Sequence, residues 1–142
     1  MPHVFVYGTL LFPEILYGLT GCAFPEARAT LNDFKRFQVK FGDYPAIIAS
    51  EDSRVNGKLI FNVDARSLKM LRFYEGDDYD CIETVVDLKS EKSKALVFVW
   101  NRNHDLLAES DWHIENFKNK FLIDYTRKVV PETVAEFIKL FP

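Results

Sequence analysis

Across residues 27–63 the chain offers one β-rich run after another, with no helical segment between them. Residues 27–31, 37–41, 46–49 and 57–63 each carry the β-branched, aromatic or alternating pattern of a strand. Asn32-Asp33 separates the first two as a turn pair, Gly42-Asp43-Tyr44-Pro45 reads as a second turn, and residues 52–56 form a polar loop. Strands that follow one another without helices cannot build an alternating, doubly wound sheet.

The flanking segments complete the pattern. Val4-Phe5-Val6-Tyr7 is an apolar strand stopped by Gly8. Pro13 suits the first turn of a helix, whose apolar face is Ile15, Leu16 and Leu19 and whose end is Thr20-Gly21. Asp64 is placed to cap a helix running through Leu68, Met70, Leu71 and Tyr74 to Glu75, with Gly76 just past its end. Residues 77–80 form an acidic loop. Residues 82–88 and 95–100 read as a hairpin across the charged segment 89–94. Asp111 has the position of a cap, Ile114, Phe117, Phe121 and Tyr125 recur at helical spacing, and a second helix follows Pro131. The order β, α, several β, α, hairpin, α, α predicts one α+β domain over residues 1–142. Its sheet is strongly curved or closed, and residues 111–142 form a helical extension.

The chain has 142 residues, 48% hydrophobic and 15% aromatic, enough for one well-buried core. A net charge of −3 without a basic stripe argues against a nucleic-acid partner. No apolar run reaches membrane-spanning length, and no basic segment precedes a long apolar one at the start, which points to a cytoplasmic protein without a membrane partner. The two cysteines, Cys22 and Cys81, form no CxxC and read as reduced thiols. His3, His104 and His113 show no metal-ligand spacing, so no metal is expected.

Two features could carry chemistry. A glycine between a strand end and a helix start lets a ligand approach the backbone, and free N–H groups there favour a carboxylate. Tyr7-Gly8-Thr9-Leu10 fits that description and equally fits an ordinary tight turn. The second feature is Glu75. Leu68, Leu71 and Glu75 stand at i, i+3 and i+7 on one helix face, so Glu75 either points inward or, if the helix ends early, lies in solvent. Pointing inward, its charge is opposed by desolvation and by the negative end of the helix dipole, which suits general acid/base work. Asp77, Asp78 and Asp80 lack the spacing of a calcium loop, and Cys81 has no basic neighbour in sequence.

Together these residues resemble the γ-glutamylcyclotransferase-like superfamily. Tyr7-Gly8-Thr9-Leu10 is similar to its YG(S/T)L signature, Tyr44-Pro45-Ala46 to its YPA stretch, Val55-Asn56-Gly57-Lys58-Leu59 to its V-x-G-x-(L/V) strand, and Tyr74-Glu75-Gly76 with Tyr79 to its (F/Y)EG-x-x-Y segment. Pro13-Glu14 after the first motif, and Trp112, Glu115 and Phe117 near the end, resemble the AIG2-like subgroup. The resemblance implies a small mixed-sheet barrel with flanking helices and a pocket at one end. It implies cleavage of a γ-glutamyl amide by the substrate's own α-amine, giving 5-oxoproline and an amine or amino acid, without a cofactor. It assigns Glu75 as the acid/base, and Tyr7, Gly8, Thr9, Leu10, Tyr44 and Tyr79 as substrate-binding residues. Cys81 departs from the pattern, standing where the family often has arginine.

Two other classes compete with the enzyme. A non-catalytic module could use the same pocket to bind a small amino-acid-like metabolite. An interaction protein would instead present its Phe-rich C-terminal helices to a partner or a second copy. Leaving group and oligomeric state are not encoded in any motif.

Overall fold

The computed structural model describes all residues, Met1–Pro142. Five strands, β1 (Val4–Val6), β2 (Glu26–Gln38), β3 (Pro45–Ile60), β4 (Tyr79–Asp87) and β5 (Lys92–Trp100), close into a barrel in the order β1-β3-β2-β4-β5. β1 and β5 run parallel and seal the ring; every other neighbouring pair is antiparallel. Closure leaves no free sheet edge.

Strand alternation divides the apolar residues between two cores. Phe5 and Tyr7 point into the barrel, where they meet Leu31, Ile47, Leu59, Val86 and Val97. Val4 and Val6 face the opposite way, towards α1 (Pro13–Thr20), α2 (Ala65–Glu75) and the C-terminal helices. Those last helices are α3 (Ile114–Lys120), α4 (Leu122–Asp124) and α5 (Val130–Leu140). Phe117 and Phe137 are fully buried against the chain's own core. Burial of each such side chain contributes about 1.5–3 kcal/mol. Phe117 and Phe137 of the extension therefore pack within the chain. No helix is long and apolar enough to cross a membrane.

Five local expectations need correction. Asn32-Asp33 does not end a strand. β2 and β3 are single long strands, and the expected loop at 52–56 lies inside β3. Pairing slips between Asn32 and Phe34, and Asp33 and Asp52 both adopt positive φ, 64° and 62°. The residue types that make turns also make bulges, and a bulge bends a strand without reversing it. The bend carries the start of β3 round to the end of β1. The strand expected at 37–41 ends at Gln38, and Phe41 is largely exposed.

Asp111 does not cap α3, whose N-cap position is His113. Its carboxylate instead binds Arg36 and the Trp112 N–H. Nor does Pro131 separate two helices. It has no N–H to give, and its ring would crowd the carbonyl four residues back. The chain widens into a π-helical turn, Tyr125–Val129, closed by Val130 N–H to Tyr125 O, and runs straight on into α5.

Candidate active site

At the end of β1 the chain leaves the barrel at Tyr7 and turns at Gly8 into a 3₁₀ turn, Thr9–Leu11. The first bond of that turn runs from Leu11 N–H to Gly8 O, 2.9 Å. The N–H groups of Gly8, Thr9 and Leu10 precede it and take no part in it. All three residues line a cavity of about 200 Å³. Gly8 is required by a close approach: a Cβ there would lie 2.8 Å from Pro45 Cγ.

Across the cavity stands the C-terminal end of α2. Asp64 caps the helix by accepting from Ser67 N–H at 3.1 Å, and Gly76 ends it with φ 81°. Between them Leu71 is fully buried and Leu68 partly so, and Glu75 follows on the same stripe to line the cavity. Glu75 keeps a partial exposure, as a cavity wall does. Protein nonetheless surrounds its carboxyl closely enough that desolvation raises its pKa from 4.5 to about 8. Desolvation is the cause; neither a cation nor a hydrogen-bond donor of the chain offsets it.

Five tyrosines line the same cavity, and their hydroxyls divide into two kinds. Tyr7 donates to Phe98 O at 2.6 Å, and Tyr79 donates to Pro45 O at 2.8 Å. The Tyr74 hydroxyl lies 2.7 Å from Thr9 Oγ1. These three are committed to holding the walls. Burial raises the pKa of each, and the charge of Glu75 adds to that. The hydroxyls of Tyr44 and Tyr125 have no partner in the protein. Burial raises both, with Asp78 and then Asp43 next in weight for Tyr44, and Asp43 next for Tyr125.

The structure thus brings Glu75, Tyr7, Gly8, Thr9, Leu10, Tyr44 and Tyr79 to one cavity. Sequence reading missed one whole wall, made by Tyr125 and Val129 of the π-helical turn and Thr133 of α5. Tyr125 carried only the signal of an apolar helix stripe. Tyr74 was hidden beside the more conspicuous Glu75. No Lys, Arg or His lines the cavity. The volume falls below the several hundred Å³ of sites for drug-sized ligands, so it suits a small, amino-acid-sized molecule.

The remaining candidates have structural tasks. Asp78 pairs with Arg102 at 2.7 Å, and Asp80 accepts from Asn101 at 2.9 Å, fastening the loop before β4 to the end of β5. No three His, Cys, Asp or Glu residues gather as metal ligands. Burial raises the Cys81 thiol, the opposite of an activated nucleophile, while Arg72 beside it opposes the rise.

Known proteins resemble this chain in sequence and in fold. The family model described as "Gamma-glutamyl cyclotransferase, AIG2-like" matches residues 4–114. AIG2-like protein D of Arabidopsis thaliana is 33% identical over 121 residues, 83% of this chain and 80% of that protein. AIG2-like protein C of the same plant is 32% identical over 81% of this chain and 68% of its own length. An Arabidopsis thaliana solution structure superposes with a TM-score of 0.69 at 26% identity, covering 99% of this chain and 85% of that one. A structure titled "Gamma-glutamyl cyclotransferase" superposes with a TM-score of 0.57 over 89% of this chain and 85% of its own, at 18% identity, a likeness of fold.

Proposed function

Because the chain belongs to the gamma-glutamyl cyclotransferase, AIG2-like family, we propose that it cleaves a γ-glutamyl amide by intramolecular cyclisation. The observation that carries this reading is the pairing across one small cavity of a desolvated carboxyl, Glu75, with the backbone donors at Gly8, Thr9 and Leu10.

The substrate's α-amine nitrogen attacks its own side-chain carbonyl carbon. A five-membered lactam closes, the bond to the departing nitrogen breaks, and 5-oxoproline and an amine or amino acid are released. Nucleophile and electrophile belong to one molecule, so the enzyme's first task is to hold a ring-closing conformer. The walls that would do so are tied by the hydrogen bonds of Tyr7, Tyr74 and Tyr79. The second task is proton transfer, because the α-ammonium sheds two protons in becoming the lactam N–H. Glu75 as carboxylate takes the first and, as carboxylic acid, gives it to the departing nitrogen; the second leaves the ring nitrogen as the lactam forms and passes to solvent or to the released amine. A pKa of about 8 suits both steps near neutral pH. The backbone of Gly8 to Leu10 holds the substrate's α-carboxylate or its carbonyl oxygen, where negative charge gathers. The proposed compartment is the cytoplasm, where the free thiols of Cys22 and Cys81 stay reduced.

The test is 5-oxoproline release from a panel of γ-glutamyl dipeptides, γ-glutamyl amines and isopeptide-linked lysine. Turnover of one member, lost in Glu75→Gln, supports the enzyme. The departure at Cys81 favours a second reading, a non-catalytic module for an amino-acid-like metabolite. Saturable binding without turnover across the panel selects that reading instead.

A further inference from the structure

Arg36 lies outside the cavity yet touches the backbone that lines it. Its Nη1 donates to Tyr7 O at 2.8 Å. Its Nε and Nη2 donate to the two carboxylate oxygens of Asp111, at 2.8 and 3.2 Å. Its guanidinium sits 5.4 Å from the centre of the Trp112 ring, and Trp112 is itself anchored by its Nε1–H to Asp43 O at 2.9 Å. A planar fork with its donors filled on two sides and stacked on a third has little freedom to turn. Its side chain is only 19% exposed.

Tyr7 O belongs to the same peptide unit as Gly8 N–H. The chain has no cis peptide bond, so that C=O and N–H point to opposite sides of the unit. Glycine alone would let the unit rotate easily. A guanidinium gripping the carbonyl from outside leaves the N–H facing the cavity. A charge-assisted bond to the carbonyl also polarises the amide, which makes its N–H a stronger donor.

We propose that Arg36, held by Asp111 and Trp112, is a positioning residue that sets the Tyr7–Gly8 peptide so that the Gly8 amide points at the reacting substrate. This rests on the cyclotransferase reading, and it adds a residue that never meets the substrate. Asp111 and Trp112, at the start of the C-terminal extension, thereby serve the turn after β1.

The test uses the full chain, ¹⁵N-labelled, with Arg36→Met, Arg36→Lys and Asp111→Asn. In Arg36→Met the Gly8 amide resonance moves away from its wild-type position while the other barrel amides stay. kcat/KM for 5-oxoproline release falls about tenfold or more, the cost of a donor aimed wrongly. The pH at which activity rises does not move, since Arg36 is no cause of the Glu75 shift. Asp111→Asn keeps a hydrogen-bond partner for the fork and loses less than Arg36→Met. If Arg36→Met does not fold, Arg36→Lys, which keeps the cation and loses the fork, is judged by the same readouts. An unmoved Gly8 resonance with kcat/KM within twofold of wild type overturns the proposal. So does a shifted pH profile, which would make Arg36 an electrostatic partner of Glu75. A wild type that releases no 5-oxoproline overturns the cyclotransferase reading, while the Gly8 resonance of the free protein still decides the role of Arg36.

Discussion

The hydroxyl of Tyr74 lies 2.7 Å from that of Thr9, so the residue before Glu75 is tied to the turn across the cavity from it. That bond spans two elements far apart in sequence. It joins the helix that carries the carboxyl to the turn that carries the backbone donors.

Thr9 is 6% exposed, and removing its hydroxyl strands that of Tyr74. Thr9→Val should cost about 1–3 kcal/mol, and Tyr74→Phe a similar amount, because each leaves one buried partner unmatched. The double variant removes both polar groups and should lose less than the sum. Urea unfolding of the four proteins measures the coupling. Strict additivity would show that the bond does not hold the cavity closed.

Glu75 makes stability depend on pH with a definite sign. Its pKa is raised from 4.5 to about 8 by desolvation. Below pH 4.5 the group is neutral in both states and its burial carries no charge penalty. As pH rises from 4.5 to 8 the unfolded chain ionises first, and the folded state loses ground; above 8 the full penalty remains. The loss is on the order of a few kcal/mol. Glu75→Gln has no such loss, so it should match wild type at about pH 4 and melt higher at about pH 9. Thermal melts at the two pH values check this.

In the proposed reaction the same group sets the rate profile. The carboxylate must take the ammonium proton, so kcat/KM should climb about tenfold per pH unit up to pH 8, where the Glu75 carboxylate becomes the main form. Initial rates of 5-oxoproline release between pH 5.5 and 8 measure the climb. A flat profile over that range would remove Glu75 as the proton acceptor.

How much of this was legible in sequence depended on range. The end of α2 was readable because Asp64, the Leu68–Leu71–Glu75 spacing and Gly76 are local signals that agree with one another. Asn32-Asp33 misled because a turn pair and a bulge need the same residue types, and only pairing with β3 decides between them. The wall at Tyr125 was invisible for a different reason. Periodicity tells which face of a helix is apolar, not which cavity that face will cover. Nor could sequence say which tyrosine hydroxyls are committed, since the carbonyls of Phe98 and Pro45 that hold two of them are distant in the chain.

Gly8 tests the cavity's rigidity. A Cβ at Gly8 would lie 2.8 Å from Pro45 Cγ and 2.9 Å from its Cδ, and Pro45 cannot retreat freely because its carbonyl holds Tyr79. Gly8→Ala must therefore displace the turn. The expected cost is about 1–3 kcal/mol in stability and at least about a tenfold loss of kcat/KM. Urea unfolding and steady-state kinetics separate the two. Unchanged kinetics would place the substrate away from this turn.

The two kinds of tyrosine hydroxyl make the last contrast. Tyr7→Phe abandons the Phe98 carbonyl inside the barrel, and should destabilise the chain by about 1–3 kcal/mol. Tyr125→Phe breaks no bond within the protein, so its melting temperature should stay near that of wild type. Its hydroxyl is free to meet a ligand in the cavity, and Asp43 rather than any cation stands near it. Tyr125→Phe should therefore raise KM or lower kcat for a γ-glutamyl amine while leaving the fold intact. For the same reason a departing group that carries a carboxylate should be handled less well than an uncharged or cationic amine, since the cavity wall offers nothing to neutralise it. Kinetics of Tyr125→Phe on a γ-glutamyl dipeptide and a γ-glutamyl amine check both statements. Equal rates for the two substrates in wild type would mean that the carboxylate stays in solvent, outside the wall formed by Tyr125, Val129 and Thr133.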